Sequence, residues 1–203
     1  NSTNSSSVPV FVSGDYNFSS LDIGSSAVHT CGILQNGSTM CWGSNEYGQL
    51  GNGSIGGKSL VPQFISEDYN FSFLDSGLYH TCGILENITE NGSVMCWGWN
   101  NFGQLGNGSI GGQSNVPIFV KGGYNFSMIK TGAGHSCGIL QNGSTMCWGY
   151  NNHGQLGDNT LTDKKIPVFV NIDEKFSSME TGRSHVFGVL QNGRIVSWGD
   201  NQY

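Results

Sequence analysis

The chain has 203 residues, of which 32 are Gly and only 11% are charged, with a formal net charge of −6. That length suits one sizeable domain, and glycine this frequent without a collagen period indicates many tight turns between short strands. The basic residues are scattered, with Lys58 alone in the first half, so no stripe exists to neutralise phosphates; no run approaches the roughly 18 apolar residues of a membrane span.

Residues 1–8 read as an Asn/Ser-rich linker. Four apolar or alternating runs follow, at 9–12 (Pro-Val-Phe-Val), 18–23, 29–34 and 38–43, each bounded by Gly, Asn or Pro as strands are. Between the last two, Gln35-Asn36-Gly37 is a hairpin turn, because Gly accepts the positive φ such turns need. The block from His29 to Gly51 returns at 80–106 and 135–157, and in part from His185 to the end. Positions 29, 80, 135 and 185 are separated by 51, 55 and 50 residues. The repeats therefore run 9–51, 52–106, 107–157 and 158–203, the last truncated. Four strands per period is the pattern of antiparallel β-propeller blades, an all-β fold in which one small sheet buries its faces only by stacking on its neighbours.

Gly-x-x-His (77–80, 132–135, 182–185), a small-residue strand, Asn-Gly, and then Trp-Gly-x-Asn-x-x-Gly-Gln-Leu-Gly (42–51, 97–106, 148–157) resemble the regulator-of-chromosome-condensation repeat, over nearly the whole chain. Kelch and WD signatures do not fall in the right places. The resemblance implies a propeller that usually closes with seven blades. Four repeats therefore suggest an excerpt of a longer propeller, or a ring or filament completed by a neighbouring copy. The founding member of the family is a nuclear exchange factor for a small GTPase, whose active face finds no match here.

Six cysteines fall as Cys31/Cys41, Cys82/Cys96 and Cys137/Cys147. Six cysteines allow 15 pairings. The repeat selects one. In the fourth copy both positions change together, to Phe187 and Ser197, as partners within one hairpin would. A turn centred on Asn36 sets 31 opposite 41, and the four residues added in the second copy lie inside the loop, preserving the opposition. Opposed residues lie about 4.5 Å apart between Cα atoms, within reach of a disulfide. A zinc site of His29, Cys31 and Cys41 is disfavoured, because the fourth copy keeps His185 without either cysteine. The repeated histidines read as structural, bonded to backbone. No metal and no cofactor is expected.

Eleven Asn open an Asn-x-Ser/Thr sequon: Asn1, Asn4, Asn17, Asn36, Asn52, Asn70, Asn87, Asn91, Asn107, Asn125 and Asn142. Asn17, Asn70 and Asn125 precede a strand; Asn36, Asn91 and Asn142 sit in the hairpin turn; Asn52 and Asn107 follow Gly-Gln-Leu-Gly. These are edge and loop positions from which a glycan can project. Sequons and paired cysteines together point to an oxidising, glycosylating compartment and an extracellular or cell-surface eukaryotic protein.

Gly51–Gly56 and Gly106–Gly111 fit G-x-G-x-x-G, but no helical period follows either, so both read as turns. No nucleophile elbow is present. The residue after Trp-Gly breaks the repeat (Ser44, Trp99, Tyr150, Asp200), as does the one three further on (Tyr47, Phe102, His153, Tyr203). Equivalent propeller loops emerge on one face, so Trp99, Phe102 and Tyr150 are expected to form an aromatic patch suited to a protein or a glycan, or to packing against the adjacent blade. The sequence thus reads as a non-catalytic extracellular scaffold binding a partner or associating with itself. The alternatives are a receptor ectodomain of the plant crinkly type, a secreted enzyme inhibitor, and an intracellular exchange factor.

Overall fold

The computed structural model describes residues 6–24, 27–86 and 92–202. Every element in them is a strand or a turn. The first sheet comprises β1 (Phe18–Asp22), β2 (His29–Leu34), β3 (Thr39–Ser44) and β4 (Lys58–Phe64). The second comprises β5 (Phe71–Ser76), β6 (His80–Leu85), β7 (Val94–Trp99) and β8 (Gln113–Phe119). The third comprises β9 (Phe126–Thr131), β10 (His135–Leu140), β11 (Thr145–Gly149) and β12 (Lys164–Phe169). The fourth has three strands, β13 (Phe176–Thr181), β14 (His185–Leu190) and β15 (Ile195–Gly199). Consecutive strands pair antiparallel throughout, the topology of propeller blades.

The core lies between blades. One cluster joins Cys31, Ile33, Cys41 and Leu50 of the first blade to Phe71, Leu74, Met95 and Trp97 of the second. The same positions recur between the second and third blades and between the third and fourth. A blade with a neighbour on each side is buried on both faces, so β6 and β10 are covered at every residue. This is why these strands show no alternation of polar and apolar residues, and why even their opening His80-Thr81 and His135-Ser136 are buried. Their one glycine admits the aromatic ring of the first strand: a Cβ on Gly83 would collide with Phe71, and one on Gly138 with Phe126.

The run at 9–12 departs from the sequence reading, because it lies in no strand. Its counterparts around Pro62, Pro117 and Pro167 are the outermost strands β4, β8 and β12, each closing the sheet that precedes its own repeat. Proline is tolerated there because an outer edge needs no donor on its free side. Sheet and sequence repeat are thus out of phase by one strand, and 9–12 belongs to none of the four sheets of the described residues. The loops holding the two G-x-G-x-x-G matches lead into β4 and β8 rather than into helices.

Candidate interaction face

The loop from the third to the fourth strand is folded by two amide side chains. Asn45 Oδ1 accepts from Leu50 N at 3.1 Å, Asn100 from Leu105 N at 3.1 Å, and Asn151 from Leu156 N at 3.0 Å. Gln49, Gln104 and Gln155 use Oε1 to accept from the backbone N of Tyr47, Phe102 and His153 at 2.9, 3.0 and 3.0 Å. The backbone carbonyls of the same glutamines accept the indole N–H of Trp97, Trp148 and Trp198 of the next blade, each at 2.9 Å. The closing Gly51, Gly106 and Gly157 hold φ of 65°, 65° and 62° beneath that indole. A Cβ on Gly106 would lie 2.7 Å from Trp148 Nε1, so both conformation and space require glycine. The fixed letters of the motif are therefore occupied by the blade junction, and positions 44/99/150 and 47/102/153 are left free to vary.

Those free positions meet. Ring centroids lie 5.0 Å apart for Trp99 and Phe102 and 4.5 Å for Phe102 and Tyr150. The row extends from Trp99 to Tyr47 at 5.7 Å and from Tyr47 to Tyr79 at 5.0 Å, and at its other end from Tyr150 to His153 at 6.1 Å. Beyond His153, Asp200 Oδ2 lies 3.9 Å from Nδ1. Phe102 also packs over Gly134 of the next blade, so it serves junction and row together. Trp99, Phe102 and Tyr150 are all half-buried. Sequence reasoning passed over Tyr79. It sits in the turn before His80, where the other copies have Val28, Gly134 and Ser184, and its signal was the same break in the repeat.

The three disulfides link Cys31–Cys41, Cys82–Cys96 and Cys137–Cys147, each between directly opposed residues with Cα atoms 4.1, 4.1 and 4.0 Å apart. Every sulfur is committed, which leaves no thiolate for a metal. Each bond is sealed beneath the Phe and Trp of the following blade. Beside it stands a buried histidine. His29 Nε2 lies 2.7 Å from Thr81 Oγ1 and His80 Nε2 lies 3.0 Å from Ser136 Oγ, both on the next blade. Those hydroxyls donate in turn to Gln49 O and Gln104 O at 3.1 and 3.0 Å, so the histidine is the donor and carries its proton on Nε2. The expected backbone partner is thus replaced by a hydroxyl. His135 has Val186 in the hydroxyl's place, and neither ring nitrogen finds a partner. Burial lowers His29, His80 and His135 from 6.5 to about 4, 3 and 4, so all three are neutral.

A line of charge runs along the first strands, where Asp22, Asp75, Lys130 and Glu180 stand opposite Cys31, Cys82, Cys137 and Phe187. Asp75 Oδ2 accepts from Thr131 N and Oγ1, both at 2.7 Å. Lys130 Nζ lies 3.5 Å from Asp75 and 3.0 Å from Glu180. Burial pushes Asp75 up to about 6 despite the Thr131 bonds. No group of three or more His, Cys, Asp or Glu among the described residues is arranged to hold a metal ion.

The sequons divide by position. Asn17, Asn70 and Asn125 immediately precede the inner strands, and Asn36 and Asn142 occupy hairpin turns. The carbonyls of Asn17, Asn70 and Asn125 accept from Gln35, Glu86 and Gln141, which puts all five at the hairpin end of the blades, and all five are exposed. Asn52 and Asn107 are half-buried in the motif loop, where each side chain accepts from Ser54 or Ser109. Asn1, Asn4, Asn87 and Asn91 lie outside the described residues.

Residues 36–84, 91–139 and 142–189 match the regulator of chromosome condensation (RCC1) repeat, and a second description of the same repeat matches 21–49, 126–155 and 176–203. The chain belongs to the RCC1 repeat family. This RCC1-repeat chain is 33% identical over 141 residues to the ultraviolet-B receptor UVR8 of Arabidopsis thaliana, covering 66% of this chain and 30% of UVR8. Its fold superposes on Saccharomyces cerevisiae Prp20p with a TM-score of 0.78 at 24% identity, over 95% of this chain and 47% of Prp20p. On the ectodomain of the receptor kinase CR4 from Physcomitrella patens the TM-score is 0.60 at 25% identity, over 93% of this chain and 42% of that one. The RCC1 repeats here thus span about a third of UVR8 and about half of Prp20p.

Proposed function

We propose that this RCC1-repeat chain is a rigid, non-catalytic support of an extracellular or cell-surface glycoprotein, presenting the aromatic row to a partner protein or glycan. The observation that carries the reading is the separation of two ends. Five exposed sequon asparagines cluster at the hairpin end, and the row from Tyr79 to His153 lies at the opposite end, where the motif loops emerge. Glycans on the first leave the second open. Half-buried aromatic rings, backed by hydrogen-bonded loops, offer contact area that needs little ordering on binding. Three disulfides support an oxidising compartment, as does likeness to a receptor-kinase ectodomain.

Likeness to Prp20p, whose structure was described with binding to Gsp1p and histones, favours a second reading as an intracellular protein-binding propeller. Peptide mapping of native, unreduced material separates the two. Hairpin-linked cysteine pairs with sugar masses on Asn17, Asn70 or Asn125 are the expected result. Free thiols and bare asparagines would overturn the extracellular reading in favour of the intracellular one.

A further inference from the structure

The chain enters the first strand of three blades through the same four residues, Tyr-Asn-Phe-Ser, at 16–19, 69–72 and 124–127, and the fourth copy reads Glu174-Lys175-Phe176-Ser177. Phe and Ser are kept in all four. Phe71, Phe126 and Phe176 fill the blade junctions, and Ser72, Ser127 and Ser177 donate to the carbonyls of Ile84, Ile139 and Val189. Tyr and Asn are lost together. The tyrosine is therefore not needed by the Phe or by the strand, both of which persist without it; it goes with the asparagine.

Tyr69 and Asn70 share a recess at the junction of the first and second blades. With Ser38, Phe64 and Asp68 they enclose a cavity of about 330 Å³, at the lower end of the range for small-molecule sites. A recess of about 280 Å³ recurs at the next junction, lined by Ser93, Phe119, Tyr124 and Phe126, with Asn125 between the last two. Phe64 and Phe119 are 54% and 45% exposed, and both asparagines are exposed. The third junction is arranged differently. Lys175, in the place of the asparagine, donates from Nζ to Ser144 Oγ at 2.6 Å, and Ser144 is the counterpart of Ser38 and Ser93. Glu174, in the place of the tyrosine, pairs with Arg194 at 2.9 Å. Where the sequon is lost, a side chain of the protein reaches the serine instead.

We infer that the recesses beside Asn70 and Asn125 seat the first N-acetylglucosamine of the glycan each asparagine carries, making these two sugars part of the blade junctions, while glycans in the hairpin turns project freely. The inference rests on the glycosylated reading proposed above. The C–H groups of a pyranose carry slight positive charge and pack on the negative faces of aromatic rings, here Phe64 and Tyr69. The sugar's hydroxyls and N-acetyl amide meet the Ser38 hydroxyl and the Asp68 carboxylate at the same recess. The covalent tether holds the sugar at high effective concentration, so a contact too weak to capture a free sugar suffices. A seated sugar also covers Phe64 and Phe119 on the outer strands β4 and β8, where exposed apolar rings invite pairing with other chains.

The test uses glycoprotein from a eukaryotic host, trimmed enzymatically to one N-acetylglucosamine per site. Peptide mapping gives occupancy first, and bare Asn70 and Asn125 would overturn the glycosylated reading and the inference together. With the sites occupied, proton resonances of the Asn70 sugar are expected upfield of those of free N-acetylglucosamine, with nuclear Overhauser contacts to the Tyr69 ring, while the Asn142 sugar keeps free values. Asn70→Gln is expected to lower the melting temperature by several degrees, and to lose that effect in a Tyr69→Ala background, because sugar and ring act as a pair. The resonances are read on the unaltered protein, so they decide the matter even if Tyr69→Ala fails to fold. An occupied Asn70 with unshifted sugar resonances, or an Asn70→Gln effect equal with and without Tyr69, would overturn the inference and leave the extracellular reading standing.

Discussion

The first three blades and the fourth share one hairpin geometry and differ in what covers it. Cys31, Cys82 and Cys137 pair with Cys41, Cys96 and Cys147 in the same register as Phe187 with Ser197. The hairpin therefore does not require the disulfide to find its register; the turn and the alternation of the strands suffice. What the first three have in addition is a following blade whose Phe and Trp close over the pair. The junction, rather than the blade, is the cooperative unit, as expected of stacked repeats that cannot bury a face alone.

Acidification tests the junctions most severely. His29, His80 and His135 are held neutral in the fold, with values lowered from 6.5 to about 4, 3 and 4, so the unfolded chain binds protons that the folded chain refuses. Their contribution is complete above 6.5 and is lost as pH falls towards 4, at roughly 3 kcal/mol per histidine. Asp75, raised to about 6, and Asp22, which burial also raises, work in the opposite direction, adding stability as pH falls, but they are two groups against three. A urea midpoint markedly lower at about pH 4.5 than at pH 7 is expected; equal midpoints would remove the three junctions from the argument.

Removing the tryptophan that closes a junction comes next. Trp148→Ala empties a fully covered site and strips Gln104 O of its indole, an expected loss of about 3–5 kcal/mol in urea unfolding. Trp42→Ala, at a half-buried position, is expected to cost about 1 kcal/mol. Similar losses at both sites would show that the blade and not its neighbour sets the energy. Replacing Cys82 and Cys96 together by Ala opens a loop of sequence separation 14 and is expected to cost on the order of 3 kcal/mol. The smallest effect is a gain. Val186→Thr gives His135 the hydroxyl that His29 and His80 already have, stabilising the third junction by about 1 kcal/mol. A melting temperature that fell instead would mean the site has no room for the hydroxyl.

Much of this was legible in the chain because repetition acts as an internal control. Loss of both cysteines in one copy identified the pairs, since a bond within a hairpin loses its purpose when either end goes. Variation after Trp-Gly identified Trp99, Phe102 and Tyr150, because the letters around them are tied up in loop closure. The hydroxyl partners of the histidines were hidden, since Thr81 and Ser136 lie 52 and 56 residues from His29 and His80. Tyr79 was hidden similarly, reaching the row from a different loop. The run at 9–12 was read as a strand of its own repeat because local pattern cannot say which sheet a strand joins.

By itself the sequence determined the strand-and-turn pattern, the blade repeat and the disulfide pairs, all of which follow from local alternation, turn chemistry and period. Only the tertiary structure decided that the outer strand of each sheet comes from the following repeat, that Asp22, Asp75, Lys130 and Glu180 form one line, and that His135 stands unpartnered. These are relations between neighbouring blades, and they exist only once stacking has removed water from the faces that meet.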